Sequence, residues 1–500
     1  MLYQENYNID EEHYNSNYEN EQQLTSTYGL NSELESELES ELHGGGKNKE
    51  QVFLGEGSYG CVIKPGYNCN GDKNNIKNSV TKLTEINFSS KNELIVSKQI
   101  KNIKHNNKKI YKKHFAPIFD HCIIEFNKLS KLDINKCENF LDNINYLLYN
   151  QEEYSNFIKN KFYIFYVRYI YGAKTIHKYL DVFSNYNELY KNYISTFHYL
   201  LISIMLMQKN KIVHNDLFDR NIIFDKKLNL PIIIDFGLSY QISRLYNGSK
   251  INLKMLNKFF FDFRSDSYQY NIDKRFITFF SYNKNDYYNI KVTKLNQKND
   301  LNQQLLDIFI DDAYYSILQS SLLINIFTND EIKIYKSELQ NYYGKFLNKK
   351  LYPTSSSIIK KILPNVIKFT DVYSICIEYI KIYISLMELH DKNLIFRNLF
   401  LQLFKKVLFP NPDYRLDSKQ LRNIIEFIIS KLNSFNLNNF DSEYNKFISD
   451  FDECLKTNNI NKDIFFFMEF AYINFKKILT HENIKLFKDY KLSYYNCHYI

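Results

Sequence analysis

The chain is expected to fold as an α+β protein, strand-rich up to about residue 170 and helical beyond it. Two patterns carry that expectation. Short β-type runs bounded by glycine, proline and polar residues crowd the first third, and long apolar segments with helical period begin after Gly172. A hydrophobic content of 44% over 500 residues is enough to bury a sizeable core beneath both parts.

In chain order, residues 1–48 come first, with few aliphatic residues, an acidic repeat from Glu33 to Leu42 and then Gly44-Gly45-Gly46. Isolated leucines cannot bury enough surface to fold alone, so a disordered acidic tail is expected. Val52-Phe53-Leu54 and Cys61-Val62-Ile63-Lys64 read as strands flanking a tight glycine turn, and Pro65-Gly66 closes the second. Ser79 to Leu83 reads as a third strand and Lys91 to Lys104 as a helix. Phe115 to Phe126 and Phe162 to Tyr169 are further strand candidates, separated by a polar stretch with the look of an insertion. Helical periodicity then marks Asn187 to Lys209, Leu301 to Ile326, Asp371 to Leu389, Phe396 to Leu408 and Ser418 to Leu432. The stretch from about 435 to 500 reads as a helical, aromatic-rich extension.

Composition excludes several classes. Sixty-four basic against 56 acidic side chains leave a formal +8, spread through lysine-rich segments that read as solvated face. The basic residues form no aromatic-interleaved cluster, so a nucleic-acid binder has little support. No run approaches eighteen apolar residues; the most apolar, Tyr199 to Met207, suits a buried helix, and no membrane role is expected. The acidic N-terminus has no secretory or transit pattern. Cysteines 61, 69, 122, 137, 376, 454 and 497 are scattered and lack CxxC spacing. They suggest neither a zinc site nor a disulfide framework, and an intracellular, reducing compartment is the simplest account.

Five fragments carry chemistry. Gly55-Glu56-Gly57-Ser58-Tyr59-Gly60-Cys61-Val62 lets backbone turn sharply and approach phosphate oxygens. It lies between two strands, whereas a dinucleotide fingerprint needs a strand and then a helix. Lys82 follows in a β-like stretch and Glu93 in a helical one, with Glu85 as the alternative acid. His214-Asn215-Asp216-Leu217-Phe218-Asp219-Arg220-Asn221 sits between apolar flanks, and Asp235-Phe236-Gly237 follows a buried-strand pattern. Together they supply a phosphate cover, a phosphate cation, a proton acceptor and two metal ligands, the needs of phosphoryl transfer from a nucleoside triphosphate.

In this order and spacing the fragments resemble the eukaryotic-type protein kinase family, from about Val52 to about Ile429. Cys61-Val62-Ile63-Lys64-Pro65 is similar to kinases encoded by giant DNA viruses. The resemblance implies a bilobal domain over 49–432, a β-rich lobe over about 49–170 and a helical lobe over about 171–432. An insertion over about 285–365 and a helical extension over 433–500 complete the layout. It implies ATP and Mg²⁺ as cofactors and protein substrates as partners. Leu54, Gly55, Gly57, Ser58, Tyr59 and Gly60 would cover the phosphates, with Val62 and Val80 over the adenine. Lys82, fixed by Glu93, would contact the phosphates, Val167 would be the gatekeeper, backbone around Arg168 to Ile170 would bind the adenine edge, and Ile223 would also bind the cofactor. Asp216 would accept the hydroxyl proton; Asn221 and Asp235 would hold metal, and Phe236 would pack on the helix that carries Glu93.

Departures from the family pattern matter as well. Asn215 replaces the usual arginine, so activation need not depend on a phosphorylated loop docking there. Phe218 replaces a lysine, a charge that Arg220 is placed to supply. Asp371-Val372-Tyr373-Ser374 resembles the start of a central helix whose Asp anchors the catalytic loop. Asn411-Pro412-Asp413-Tyr414-Arg415-Leu416 resembles a late segment whose Arg pairs with an acid, here expected to be Asp273. The expectation is an active serine/threonine protein kinase; a kinase-like scaffold and a small-molecule kinase of the same fold are the alternatives.

Overall fold

A computed structural model describes residues 52–57, 60–64, 66–70, 78–105, 108–125, 128, 137, 161–260, 270–282, 306–313, 326–347, 355–387, 400–409 and 411–460. All of them belong to the unit Gln51–Ile500. The expected tail at 1–48, Ser58, Tyr59, the first part of the insertion and residues 461–500 lie outside the described residues.

The fold is mixed α+β, mostly helical, with small antiparallel sheets. Strands β1 (Val52–Gly57), β2 (Gly60–Lys64), β3 (Ser79–Glu85), β4 (Ile118–Glu125) and β5 (Lys161–Arg168) form one sheet in the order β1-β2-β3-β5-β4. Val62 pairs with Lys82, and Lys82 with Phe165, so the lysine sits on a central strand. Apolar side chains leave that strand pair on both faces. Cys61, Ile63, Leu83, Ile164 and Tyr166 cluster on one; Tyr163 and Phe165 pack with Leu94 of helix α1 (Phe88–Ile100) on the other.

Helix α1 begins earlier than the Lys91 read from the sequence. Asn87 caps it: its Oδ1 accepts from Ser90 N (3.0 Å), while Ser90 Oγ accepts from Asn87 N (2.9 Å), a reciprocal arrangement that fixes the first turn. Its buried face mixes Ser90, Asn92, Glu93 and Ser97 with the apolar Val96 and Ile100, and Glu93 and Asn92 turn toward the site.

The helical part is organised by α2 (Tyr186–Lys209), capped by Asn185 and buried along most of its length. Short strand β6 (Lys174–Thr175) precedes it, and β7 (Ile212–Val213), β8 (Ile222–Asp225), β9 (Leu230–Ile233) and β10 (Tyr240–Gln241) follow it in sequence. They form a β9-β8-β6 sheet and a β10-β7 pair that frame residues 214–221 and 234–239. Helices α3 (Leu253–Phe260), α4 (Ile272–Tyr282), α5 (Asn329–Gly344), α6 (Ser355–Leu386), α7 (Leu401–Leu408), α8 (Ser418–Ser434) and α9 (Phe440–Thr457) complete the body.

Helix α6 departs from expectation. Read from the sequence it starts at Asp371, after the helix-breaking Pro364; in the structure it runs through that proline from Ser355. Burial of Ile362, Leu363, Val366 and Phe369 overrides the local cost, and Asn365 Nδ2 donates to Tyr342 Oη (2.9 Å) beside the break.

The cysteine expectation is corrected. Cys61 on β2 is bonded to Cys137, and Cys69 to Cys122 on β4. The partners lie 76 and 53 residues apart, and such pairings depend on sheet topology that spacing does not reveal. The argument for a reducing compartment from unpaired cysteines therefore falls. Among the described residues no helix is long and apolar enough to cross a membrane.

Candidate active site

The β1–β2 hairpin supplies one wall. Gly57 pairs with Gly60 and Glu56 with Cys61, so the glycine-rich fragment is the tip of a hairpin. Gly60 has a packing reason of its own: a Cβ there would lie 2.5 Å from Leu83 O on the next strand. Leu54 is exposed and Val62 half-buried on this wall; Val80 is buried opposite Val167.

Lys82 Nζ donates to Glu93 Oε2 at 2.8 Å and lies 3.2 Å from Asp235 Oδ1. One ammonium thus links the sheet, helix α1 and the segment after β9. Burial works against its charge, but Asp235 and Glu93 outweigh that and hold its pKa above the ordinary lysine value. Burial pushes Glu93 up to about 7 despite Lys82. Asp235 is held below the usual carboxylate range, because Lys82 and the Gly237 N–H outweigh the enclosure of the cleft. Glu85, the alternative acid, ends β3 and faces Phe162 across the sheet, so Glu93 is the partner.

Asp235 adopts a left-handed backbone (φ 58°), unusual for a non-glycine residue and costly unless its surroundings impose it. Phe236 imposes it from one side, fully buried with Val96, Ile100 and Phe115 in the main core and 5.2 Å from the His214 ring. Gly237 imposes it from the other: a Cβ there would lie 2.5 Å from Ser89 Oγ of α1.

The second polar cluster hangs from α6. Asp371 Oδ2 accepts from His214 N (2.8 Å) and Oδ1 from Asn215 N (2.9 Å), suspending the loop 214–221 from a buried carboxylate. Within that loop, Asp216 Oδ1 and Oδ2 both accept from Arg220 Nη2 at 3.1 Å, and Asp216 Oδ2 also accepts from Asn221 Nδ2 at 2.9 Å. Asn221 Nδ2 donates again to Asp216 O at 2.7 Å, which leaves its Oδ1 without a hydrogen bond among the described residues. Asp235 likewise keeps Oδ2 unengaged there. Two hard oxygen donors on adjacent segments suit a small divalent cation that keeps its remaining positions for water and phosphate. Phe218 is buried edge-on against Tyr270 (5.8 Å), with the largely exposed Arg220 guanidinium over its ring at 5.5 Å.

Around the expected adenine edge, the Arg168 side chain pairs with Asp225 (3.3 Å), and the Tyr169 N–H donates to Asn78 O (2.8 Å). Ile170 is buried with Ala116, Tyr199, Leu230 and Ile232, and Val167, Ile223 and Ile234 pack half-buried on that cluster, forming an apolar surface next to Asp235.

Asn215 and the Asp273–Arg415 ion pair were expected from the sequence, whereas Asn92 and Tyr343 were passed over; all of them hold the site in shape. Asn92, buried beside Glu93, donates through Nδ2 to Gly237 O (2.9 Å) and Ser239 O (2.6 Å) and accepts from Arg244. Asn215 Nδ2 donates to Leu238 O and Phe259 O, both at 3.1 Å. Asp273 and Arg415 form a fully buried ion pair, and Tyr343 of the insertion helix donates to Asp273 Oδ1 at 2.7 Å. No local signal in the sequence marks Asn92 or Tyr343. No family model matches the chain, and no curated protein is significantly similar to it.

Proposed function

We propose that the protein is a protein kinase of bilobal fold that transfers the γ-phosphate of ATP to serine or threonine hydroxyls of protein substrates. The observation that carries the reading is the Lys82 ammonium shared between Glu93 and Asp235, with the Asp216–Asn221 pair on the neighbouring loop. The five-stranded sheet with α1 would be the smaller lobe and the helical body the larger.

Bound Mg²⁺-ATP supplies the phosphoryl group and the divalent charge that offsets negative charge in the transition state. Asn221 Oδ1 and Asp235 Oδ2 would hold the metal, and Lys82, kept charged by its two carboxylates, would bind phosphate oxygens. Asp216 would orient the acceptor hydroxyl and take its proton at a carboxylate oxygen; Arg220 and Asn221 hold that carboxylate from two directions, so it loses little freedom on reaction. Arg220, the exposed cation beside it, would face the transferred group where Phe218 offers none. Val62, Val167 and Ile223 would meet the base.

The test is purified protein with Mg²⁺, labelled ATP and a mixed protein substrate, run beside Asp216→Asn. The expected result is transfer by the native chain and a loss of at least about a hundredfold in the variant, as for removal of a general base. Equal transfer from both sinks the reading, and phosphoamino-acid analysis of the product reports the acceptor.

A further inference from the structure

Beneath loop 214–221 lies a lysine for which the proposed reaction has so far given no work. Lys274, in the first turn of α4, is almost fully buried, and its Nζ donates to Asn215 Oδ1 at 2.8 Å. Asn215 directly precedes Asp216 and is itself left-handed (φ 67°). Its amide is committed at every corner: Nδ2 to Leu238 O and Phe259 O, Oδ1 to Lys274, backbone N–H to Asp371. The ammonium stands 4.3 Å from the Tyr270 ring centre and 5.6 Å from that of Phe260. Tyr270 in turn abuts Phe218, the aromatic side chain that fills the position where a lysine was expected.

We propose that Lys274 is a positioning residue for Asp216, acting through the Asn215 amide, and that it supplies from α4 the cation that Phe218 withholds from the loop. The proposal rests on the kinase reading of the site. A strained backbone stays in place only when its surroundings over-determine it, and among the described residues the lysine is the one cation that donates to the Asn215 side chain. Among the described residues, the charged and titratable groups that face it include Asp216 on the loop, Asp371 on α6 and the Tyr270 phenol on its own segment. From helix α3 the Phe260 ring faces it, and the Phe259 carbonyl meets the same Asn215 amide.

Burial pulls the Lys274 pKa down to about 7, against the attraction of Asp216 and Asp371. The ammonium is therefore present below neutrality and lost above it. A neutral amine still donates a proton but no longer offsets the two carboxylates.

Full-length protein is assayed with Mg²⁺-ATP and a protein substrate across pH 6 to 9 as the native chain, Lys274→Met, Lys274→Arg and Asp216→Asn. In the native chain kcat/KM is expected to decline on the alkaline side of neutrality. Lys274→Met should be slower by about tenfold or more in kcat with the KM for ATP little changed, and should lack that limb. Lys274→Arg keeps a cation at every pH and should stay active on the alkaline side. A Lys274→Met protein with native kcat and native pH profile overturns the proposal. If Lys274→Met does not fold, Lys274→Arg decides: loss of the alkaline limb supports the role, and retention of the native limb overturns it. Asp216→Asn separates the two levels. Native-like transfer by that variant removes the kinase reading and this proposal with it, whereas a dead Asp216→Asn beside an unaltered Lys274→Met removes only the part given to Lys274.

Discussion

At Gly237 a single hydrogen atom decides the geometry. A methyl group there would press on Ser89 Oγ at 2.5 Å, across the cleft from the Asp235 that Lys82 binds. Gly237→Ala is therefore expected to lower the proposed phosphoryl transfer, and Ser89→Ala to restore much of it, because the neighbours beyond Oγ, Asp235 Oδ1 at 3.4 Å and Ser89 O at 3.7 Å, lie at ordinary contact distance. Parallel measurements of kcat and melting temperature on the two single variants and the double check this; a double variant no better than Gly237→Ala refutes it. The residue scale is also where the sequence was most legible. Lys82, Glu93 and Asp235 are found in contact, as are Asp216 and Asn221, and they could be named because their chemistry confines them to a few residue types at fixed spacings. Asn92 and Lys274 were not legible, since an amide or an amine can serve there only through backbone carbonyls and loops that come near after folding.

At the scale of elements, α4, α5 and the segment after α7 meet at Asp273, Tyr343 and Arg415. Removing one member of a buried ion pair leaves the other charge without compensation, at a cost of about 3–5 kcal/mol. Arg415→Met should show that loss in chemical denaturation. Adding Asp273→Asn, which neutralises the stranded carboxylate and still accepts from Tyr343, should return part of it, so the two changes are non-additive. Strict additivity would show that the pair is not coupled. Boundaries at this scale were read closely from apolar period at the starts of α2 and α8, and read late at α1, whose Asn87 cap went unread. They were misread where tertiary burial overrode a local breaker, as when α6 passes Pro364.

Over the whole molecule, the division into a strand-rich first part and a helical remainder was read correctly from periodicity, while the disulfides were not, because strand order decides which cysteines meet. Buried lysines add a global pH response. Burial lowers the pKa of Lys406 to about 7 from 10.5, against the pull of Glu331. Between those values the unfolded chain binds a proton that the folded chain does not, so stability rises with pH across that window. Lys406→Met is expected to raise the melting temperature at pH 7 and to raise it less at pH 10; a gain that does not shrink would place the cost outside the ammonium.

The amides of Asn92 and Asn215 have a consequence for the segment they grip. Between Gly237 and Phe259 that segment is tied to the body largely by uncharged donors meeting carbonyls. Dissolved salt, which weakens attraction between exposed charges over roughly 8–10 Å, has little purchase on such ties. On the proposed kinase reading, a fastening of this sort would need no added phosphate to close and no phosphatase to open. It is built during folding, and the chain then carries its working shape as a property of its composition rather than of its recent history.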